Sequence, residues 1–226
     1  MNKKSPLYII GFMVVVCVVF GTGVSVVHNA TRDMLEKNQR FHRNRIICRA
    51  FLITSMAESP EDYAEAVAKQ IQITQNQEGD RVRNLYRQID TENKVVAVGF
   101  DFSGIGFWDR INGIIVFTPD LKKIINIQFF DHKETPGLGA RIEEKWFTDQ
   151  FKGIRVAWDK AVPDRVIFGA ASAGSTDYQI DAITGATQTS MALKRFLNQE
   201  LERIRTFKLE KSGWLESVSK KDKKQF

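Results

Sequence analysis

Cysteine is scarce in this chain: its 226 residues contain two, Cys17 and Cys48. One pair so placed supports neither a disulfide framework nor a tetrahedral metal site. Histidine is nearly as sparse, and His28, His42 and His132 have no ligand-like spacing. Metal-dependent hydrolysis is therefore not the chemistry this sequence suggests, and no metal ligand or catalytic residue is assigned. No GxxxxGK[ST] string is present, which removes a Walker-type nucleotide loop. No internal repeat divides the chain. Apolar side chains, by contrast, are plentiful: 43% of residues are hydrophobic, with 16 Phe and 4 Trp. A disordered chain does not carry that many, and the length suits one domain with a proper core plus appendages.

The net charge of +6 and pI near 9.3 invite a nucleic-acid reading that the distribution of charge removes. Segment 1–27 has two lysines, while 28–58 and 207–226 each have six basic and three acidic residues. The flanks thus hold +8, which leaves segment 59–206 with 19 basic and 21 acidic side chains, a net −2. A nucleic-acid surface needs clustered Lys and Arg on the folded domain, so no nucleic-acid partner is expected.

Segment 7–27 is uncharged and apolar over 21 residues, preceded by Lys3 and Lys4. At roughly 1.5 Å per residue it reaches about 30 Å, the thickness of a bilayer's hydrocarbon core. A cleaved signal peptide competes, but the apolar run is long and its exit, Ser25-Val26-Val27-His28, lacks a small-x-small cleavage pattern. The organisation expected is a cytoplasmic N-terminus and transmembrane anchor over 1–28, a domain over 29–206 and a basic tail over 207–226, with Lys220, Lys221, Lys223 and Lys224. The basic residues near the span's two ends oppose an external domain: Arg32, Lys37, Arg40, Arg43 and Arg45 outnumber the two lysines before it.

Apolar spacing predicts a helix over 29–56, then one opened by Ser59-Pro60-Glu61-Asp62 and running to about residue 72. Segment 74–80 reads as a polar turn. Strand-like runs follow over 83–90, 95–102, 112–118 and 123–131, separated by turns that include 103–106. Helical patterns return over 141–152 and 187–205. This order predicts an α+β domain with a largely antiparallel sheet packed by helices.

The most informative segment is DAITGATQTS, residues 181–190, a polar turn centred on Gly185 at the start of an amphipathic helix. Unpaired N–H groups and the positive end of the helix dipole make such a place suited to phosphate. The competing reading is capping of that helix by Thr184. Upstream lie HKETPGLG at 132–139 and GIGFW at 104–108.

These three segments, in this order after a single span, resemble the FMN-carrying subunits NqrC and RnfG of the Nqr and Rnf ion-pumping redox complexes. DAITGATQTS is similar to that family's D-x-x-[S/T]-G-A-T-x-T-S flavinylation motif, and HKETPGLG to its H-x-E-T-P-G-L-G loop against the flavin. The likeness is strong over residues 95–205 and loose over 30–90. It implies FMN esterified through its phosphate to Thr187, with Thr184, Gly185, Ala186 and Thr189 around the attachment point. Gly137 and Gly139 allow the backbone close to a flat ring, and Trp108, Leu138 and Trp146 can cover it. Glu134 and Thr135 are candidates for its polar edge, and Asp181 for arranging the motif. Bland readings stand beside these: Trp108 and Trp146 as core residues, and Glu134 as a surface carboxylate bracing a turn.

A threonine hydroxyl is a weak nucleophile without a base, and no His or Lys neighbours Thr187 in sequence. The resemblance accordingly implies a separate flavin transferase acting on FAD. It also implies an external FMN domain on the cytoplasmic membrane and an electron-transfer role beside other Rnf or Nqr subunits, which we adopt over the local charge count. Two alternatives stand beside this reading: a stand-alone tethered flavodomain that passes electrons to an external acceptor, and a non-redox interaction protein in which the GAT segment only caps a helix.

Overall fold

The computed structural model describes residues 6–53, 59–78, 81–169, 177–210 and 215. It divides into two compact units, Met1–His42 and Arg43–Phe226. Helix α1 spans Pro6–Ala50, so the anchor and the helix expected over 29–56 are one continuous element. Within the first unit its apolar side chains are exposed, Phe12, Val19, Phe20 and Val27 among them. The helix is long and apolar enough to cross a membrane, and an apolar surface on all sides suits lipid rather than water.

In the second unit, α1 stops at Ala50 because the chain turns left-handed at Leu52 (φ 53°). Ile53 N–H donates to the Cys48 carbonyl at 2.9 Å and Leu52 N–H to that of Arg49 at 3.2 Å. This is a Schellman closure with leucine where glycine is usual. Helix α2, Pro60–Gln70, opens with the expected cap: the Ser59 hydroxyl accepts from Asp62 N at 3.2 Å, and Ser59 N donates to the Asp62 carboxylate at 3.1 Å.

The structure departs furthest from the sequence reading at 74–80. This segment is not a turn in its described part, because strand β1 covers Ile71–Glu78 and α2 ends two residues early. It pairs antiparallel with β2, Arg81–Ile89, and lies at the sheet edge, where polar side chains are usual because they discourage further pairing. Strand β3, Val95–Ile105, runs through Ser103-Gly104-Ile105, which the sequence suggested as a turn. β4, Arg110–Phe117, and β5, Ile124–Asp131, complete an antiparallel meander in the order β1-β2-β3-β4-β5. The helix expected over 141–152 is three short pieces: a 3-10 turn Gly139–Glu143, helix α3 Lys145–Thr148 and a 3-10 turn Asp149–Phe151. A short parallel pair, β6 Ile167–Gly169 and β7 Gln179–Asp181, was not legible from pattern. Helix α4 spans Thr187–Glu210, five residues beyond the expected end.

Side chains alternate between two apolar layers. On β4, Ile111, Ile115 and Phe117 join the larger core with α4, while Ile114 and Val116 join the smaller one with α2 and residues 46–51. Helices therefore cover both faces, as the α+β expectation requires. Gly104 is strand-compatible for a packing reason: a Cβ there would lie 2.1 Å from the Phe196 ring, so its bare Cα lets α4 approach the end of β3. Phe207 extends the larger core, edge-on to Phe100 at 5.9 Å. A buried ion pair, Arg83 to Glu200 at 2.8 Å, links β2 to α4. Within the tail expected over 207–226, α4 occupies the residues to 210; Lys220, Lys221, Lys223 and Lys224 lie outside the described residues, as do Lys3 and Lys4.

Candidate functional site

Three segments meet at the start of α4, and Glu134 joins them. The residue is 4% exposed. One oxygen accepts from Phe107 N–H at 2.8 Å and Trp108 N–H at 3.2 Å, and the other from the Thr189 hydroxyl at 2.7 Å. The reading as a surface carboxylate is thereby corrected: a charge-bearing group at this depth is kept by its donors, which here tie GIGFW to the first turn of α4. Gly106 and Gly139 make room for it. A Cβ at Gly106 would meet Glu134 Oε1 at 2.4 Å, and one at Gly139 would meet Thr189 Oγ1 at 2.5 Å.

Around this brace the HKETPGLG loop is closed by its own backbone. The Thr135 carbonyl accepts from Leu138 N–H and Ala140 N–H, both at 3.1 Å, and Gly137 supplies the left-handed residue (φ 74°) that this bend requires. Thr135 Oγ1 accepts from the Trp108 indole N–H at 2.9 Å. Trp108 is 66% exposed, which removes its reading as a core residue, and Leu138 is also exposed. Trp146 is 39% exposed, with Arg141 stacked 5.0 Å from its ring centre and Glu144 accepting its indole N–H, so it too lies outside the core. Lys133 fastens the loop at Asp109, 2.6 Å away. That ammonium holds the Asp109 carboxyl below the usual range, with the Arg110 backbone N–H assisting.

Gly185 is left-handed (φ 82°), with the Leu138 side chain 3.4 Å from where its Cβ would be. Ala186 is buried, whereas Thr184, Gly185 and Thr187 are exposed. Among the described residues Thr184 makes no capping bond. The motif is fastened instead by Ser190, whose hydroxyl accepts from Ile183 N–H at 3.0 Å, and by Ala186 N–H donating to the Ile183 carbonyl at 3.0 Å. The cap reading of Thr184 is thereby corrected, because a later residue of the same helix closes the turn. Thr187 is the first residue of α4, and its hydroxyl has no hydrogen-bond partner among the described residues. Asp181 ends β7, where its N–H donates to Gln150 Oε1 at 2.7 Å.

Sequence reasoning missed three supporting residues. Ser190 lay within the quoted motif, but nothing in its spacing distinguished it from its neighbours. His132 Nδ1 accepts from Glu134 N–H at 3.2 Å and Nε2 lies 3.0 Å from Glu143, so it orients the brace from behind. Asn198, 1% exposed, accepts from Arg165 N–H and Val166 N–H at 3.1 Å and donates to the Val166 and Lys194 carbonyls at 2.9 Å. All of its polar atoms are engaged, which fixes α4 against the segment leading to β6.

A helix start that presents a hydroxyl and free N–H groups, beside a glycine-bent loop and exposed aromatic surface, defines a domain suited to holding a phosphorylated planar cofactor. Residues 106–202 match the FMN-binding domain family. The chain is 33% identical over 107 residues to the NqrC-type chain of the Na+-translocating NADH-quinone reductase of Yersinia pestis, covering 47% of this chain and 39% of the relative. It is 32% identical over 115 residues to the RnfG-type chain of the proton-translocating ferredoxin:NAD+ oxidoreductase complex of Clostridium ljungdahlii, covering 51% and 57%. The aligned region thus spans about two fifths to three fifths of these relatives' lengths. Among solved structures, the NqrC-type chain of the Na+-translocating NADH-quinone reductase from Parabacteroides distasonis has a TM-score of 0.65 at 20% identity, covering 83% of this chain and 98% of that one. NqrC from Shewanella oneidensis gives 0.60 at 18%, covering 71% and 91%; both establish the fold. Within the folded body, residues 106–202 are similar to FMN-binding domains and to the matching region of these subunits.

Proposed function

We propose that this chain is the FMN-carrying electron-transfer subunit of a membrane ion-translocating oxidoreductase complex of the Rnf or Nqr type. FMN is held through a phosphoester to Thr187, and the domain lies on the external side of the cytoplasmic membrane. The observation that carries this reading is the exposed Thr187 hydroxyl at the head of α4, without a hydrogen-bond partner among the described residues and two residues after the left-handed Gly185.

The first turn of α4 and its dipole suit the negative phosphate, and Thr184, Gly185 and Ala186 shape the approach. Leu138 and Trp108 offer a partly apolar flank, and Gly139 behind them leaves room for the Glu134–Thr189 brace that holds the loop. Glu134 and Thr189 position these walls, and Thr135 orients the Trp108 indole. When bound, FMN supplies reversible electron transfer; the protein supplies position, shielding and electrostatics. Among the described residues none hydrogen-bonds the Thr187 hydroxyl as a base, so we assign attachment to a flavin transferase and expect no substrate turnover from the isolated subunit.

Purification of the full chain from mildly solubilised membranes of its native host tests this role. A stable complex with polytopic redox subunits is expected; a flavin-bearing chain that emerges alone would instead mark a stand-alone flavodomain. Orientation has its own test. Protease added to intact spheroplasts is expected to degrade the domain, whereas protection equal to that of a cytoplasmic control contradicts the external placement.

A further inference from the structure

Away from the flavin-binding candidates, a cleft of about 280 Å³ lies between the end of β3, the start of β4 and α4. Gly104 and Phe196 line it, and Arg110, Arg195 and Arg203 stand around it. All three arginines are exposed. Arg195 makes no ion pair or hydrogen bond with a described residue, and Arg110 Nη1 reaches only the Ser103 hydroxyl at 3.4 Å. The cleft's one carboxylate, Glu200, is 4% exposed and already engaged by Arg83 at 2.8 Å and by Arg203. Asp109, next to Arg110, is held by Lys133. The charges of Arg110 and Arg195 are therefore uncompensated among the described residues, Arg203 shares its one carboxylate with Arg83, and the row stands on a body whose segment 59–206 has 19 basic against 21 acidic residues.

Arg195, Gln199 and Arg203 follow one another at four-residue steps on one face of α4. Eight residues of helix place the two arginines about 12 Å apart along the axis. A single small anion engages one end of such a row. An extended chain with carboxylates three to four residues apart spans it, since a strand advances roughly 3.3 Å per residue. Gln199 between them offers an amide to backbone groups, and exposed Ile105 gives an apolar contact at the rim.

The geometry points to this cleft as the docking site for an acidic segment of a partner protein, laid extended along α4 with two carboxylates paired to Arg195 and Arg203. This docking is independent of the flavin reading, because none of its residues is assigned to the cofactor.

A photo-crosslinking residue, benzoyl-phenylalanine, placed at Gln199 in the full chain and irradiated in host membranes tests it. The adduct mapped by mass spectrometry is expected to be one partner segment with at least two Asp or Glu within about four residues, as the arginine spacing requires. Adding R195E is expected to lower its yield about tenfold, whereas R195K retains it, because the pairing is electrostatic. Arg195 has no partner to orphan, and an unchanged melting temperature of the R195E chain confirms its fold. A mapped segment without acidic residues, a yield indifferent to R195E, adducts with lipid or small molecules alone, or no adduct would each overturn the assignment.

Discussion

Replacing Glu134 with Ala is expected to cost roughly 2–5 kcal/mol, because it strips one buried acceptor from three donors at once. Phe107 N–H, Trp108 N–H and the Thr189 hydroxyl all converge on that carboxylate. With most of the carboxylate's surroundings closed, water cannot replace it without opening the loop. The expected fall in melting temperature is about 4–20 °C for a domain of this size. Flavin incorporation should fall with it, since the brace sets the spacing between the 132–139 loop and α4. E134Q can keep its amide oxygen on the two backbone N–H groups and donate its N–H2 to the Thr189 hydroxyl, but it loses the stronger charge-assisted bonds, so its defect should be intermediate. Calorimetry of the purified chains checks the order; an E134A chain as stable and as fully flavinylated as the wild type would contradict the brace.

The Arg83–Glu200 pair predicts a second large effect with a distinctive pattern. Both side chains are largely buried, at 9% and 5% exposure, and 2.8 Å apart. Removing Arg83 leaves the buried Glu200 carboxylate to Arg203 alone, so R83M is expected to cost about 1–3 kcal/mol. R83M/E200M removes both charges and should recover most of that loss, because an apolar pair of similar volume has no desolvation penalty. Denaturant melts of the two single variants and the double variant measure the coupling. Additive losses would mean that the two residues do not act as a pair.

These two sites also mark where pattern reading stops. The long apolar N-terminal helix, the capped α2, the meander and α4 were legible because periodicity and capping are local: Ser59 needs only Asp62, and apolar positions repeat along α4. The edge strand β1 was not, because its polar residues are held by backbone pairing with β2. The 103–106 turn failed for a different reason: Gly104 answers to Phe196, more than ninety positions away in sequence. In the candidate site, the segments themselves were legible through DAITGATQTS and HKETPGLG, and so were the glycines. The interior role of Glu134 and the fully engaged Asn198 were not, since their partners are brought together only by the tertiary fold; the Ser190 clasp is local, reaching Ile183 within the same motif, but its spacing does not set it apart from the neighbouring hydroxyls.

The most direct test of the central claim is flavin fluorescence of the full chain after denaturing electrophoresis. The chain is taken from its native host as wild type and as Thr187→Val. Valine keeps the shape and the helix start but removes the hydroxyl, so the fold should persist and the ester cannot form. A fluorescent band at the 25.8 kDa chain in the wild type and none in the variant is the expected result. A band of equal intensity in Thr187→Val, or a wild-type chain from a flavin-transferase-competent host that never fluoresces, would contradict covalent attachment at Thr187.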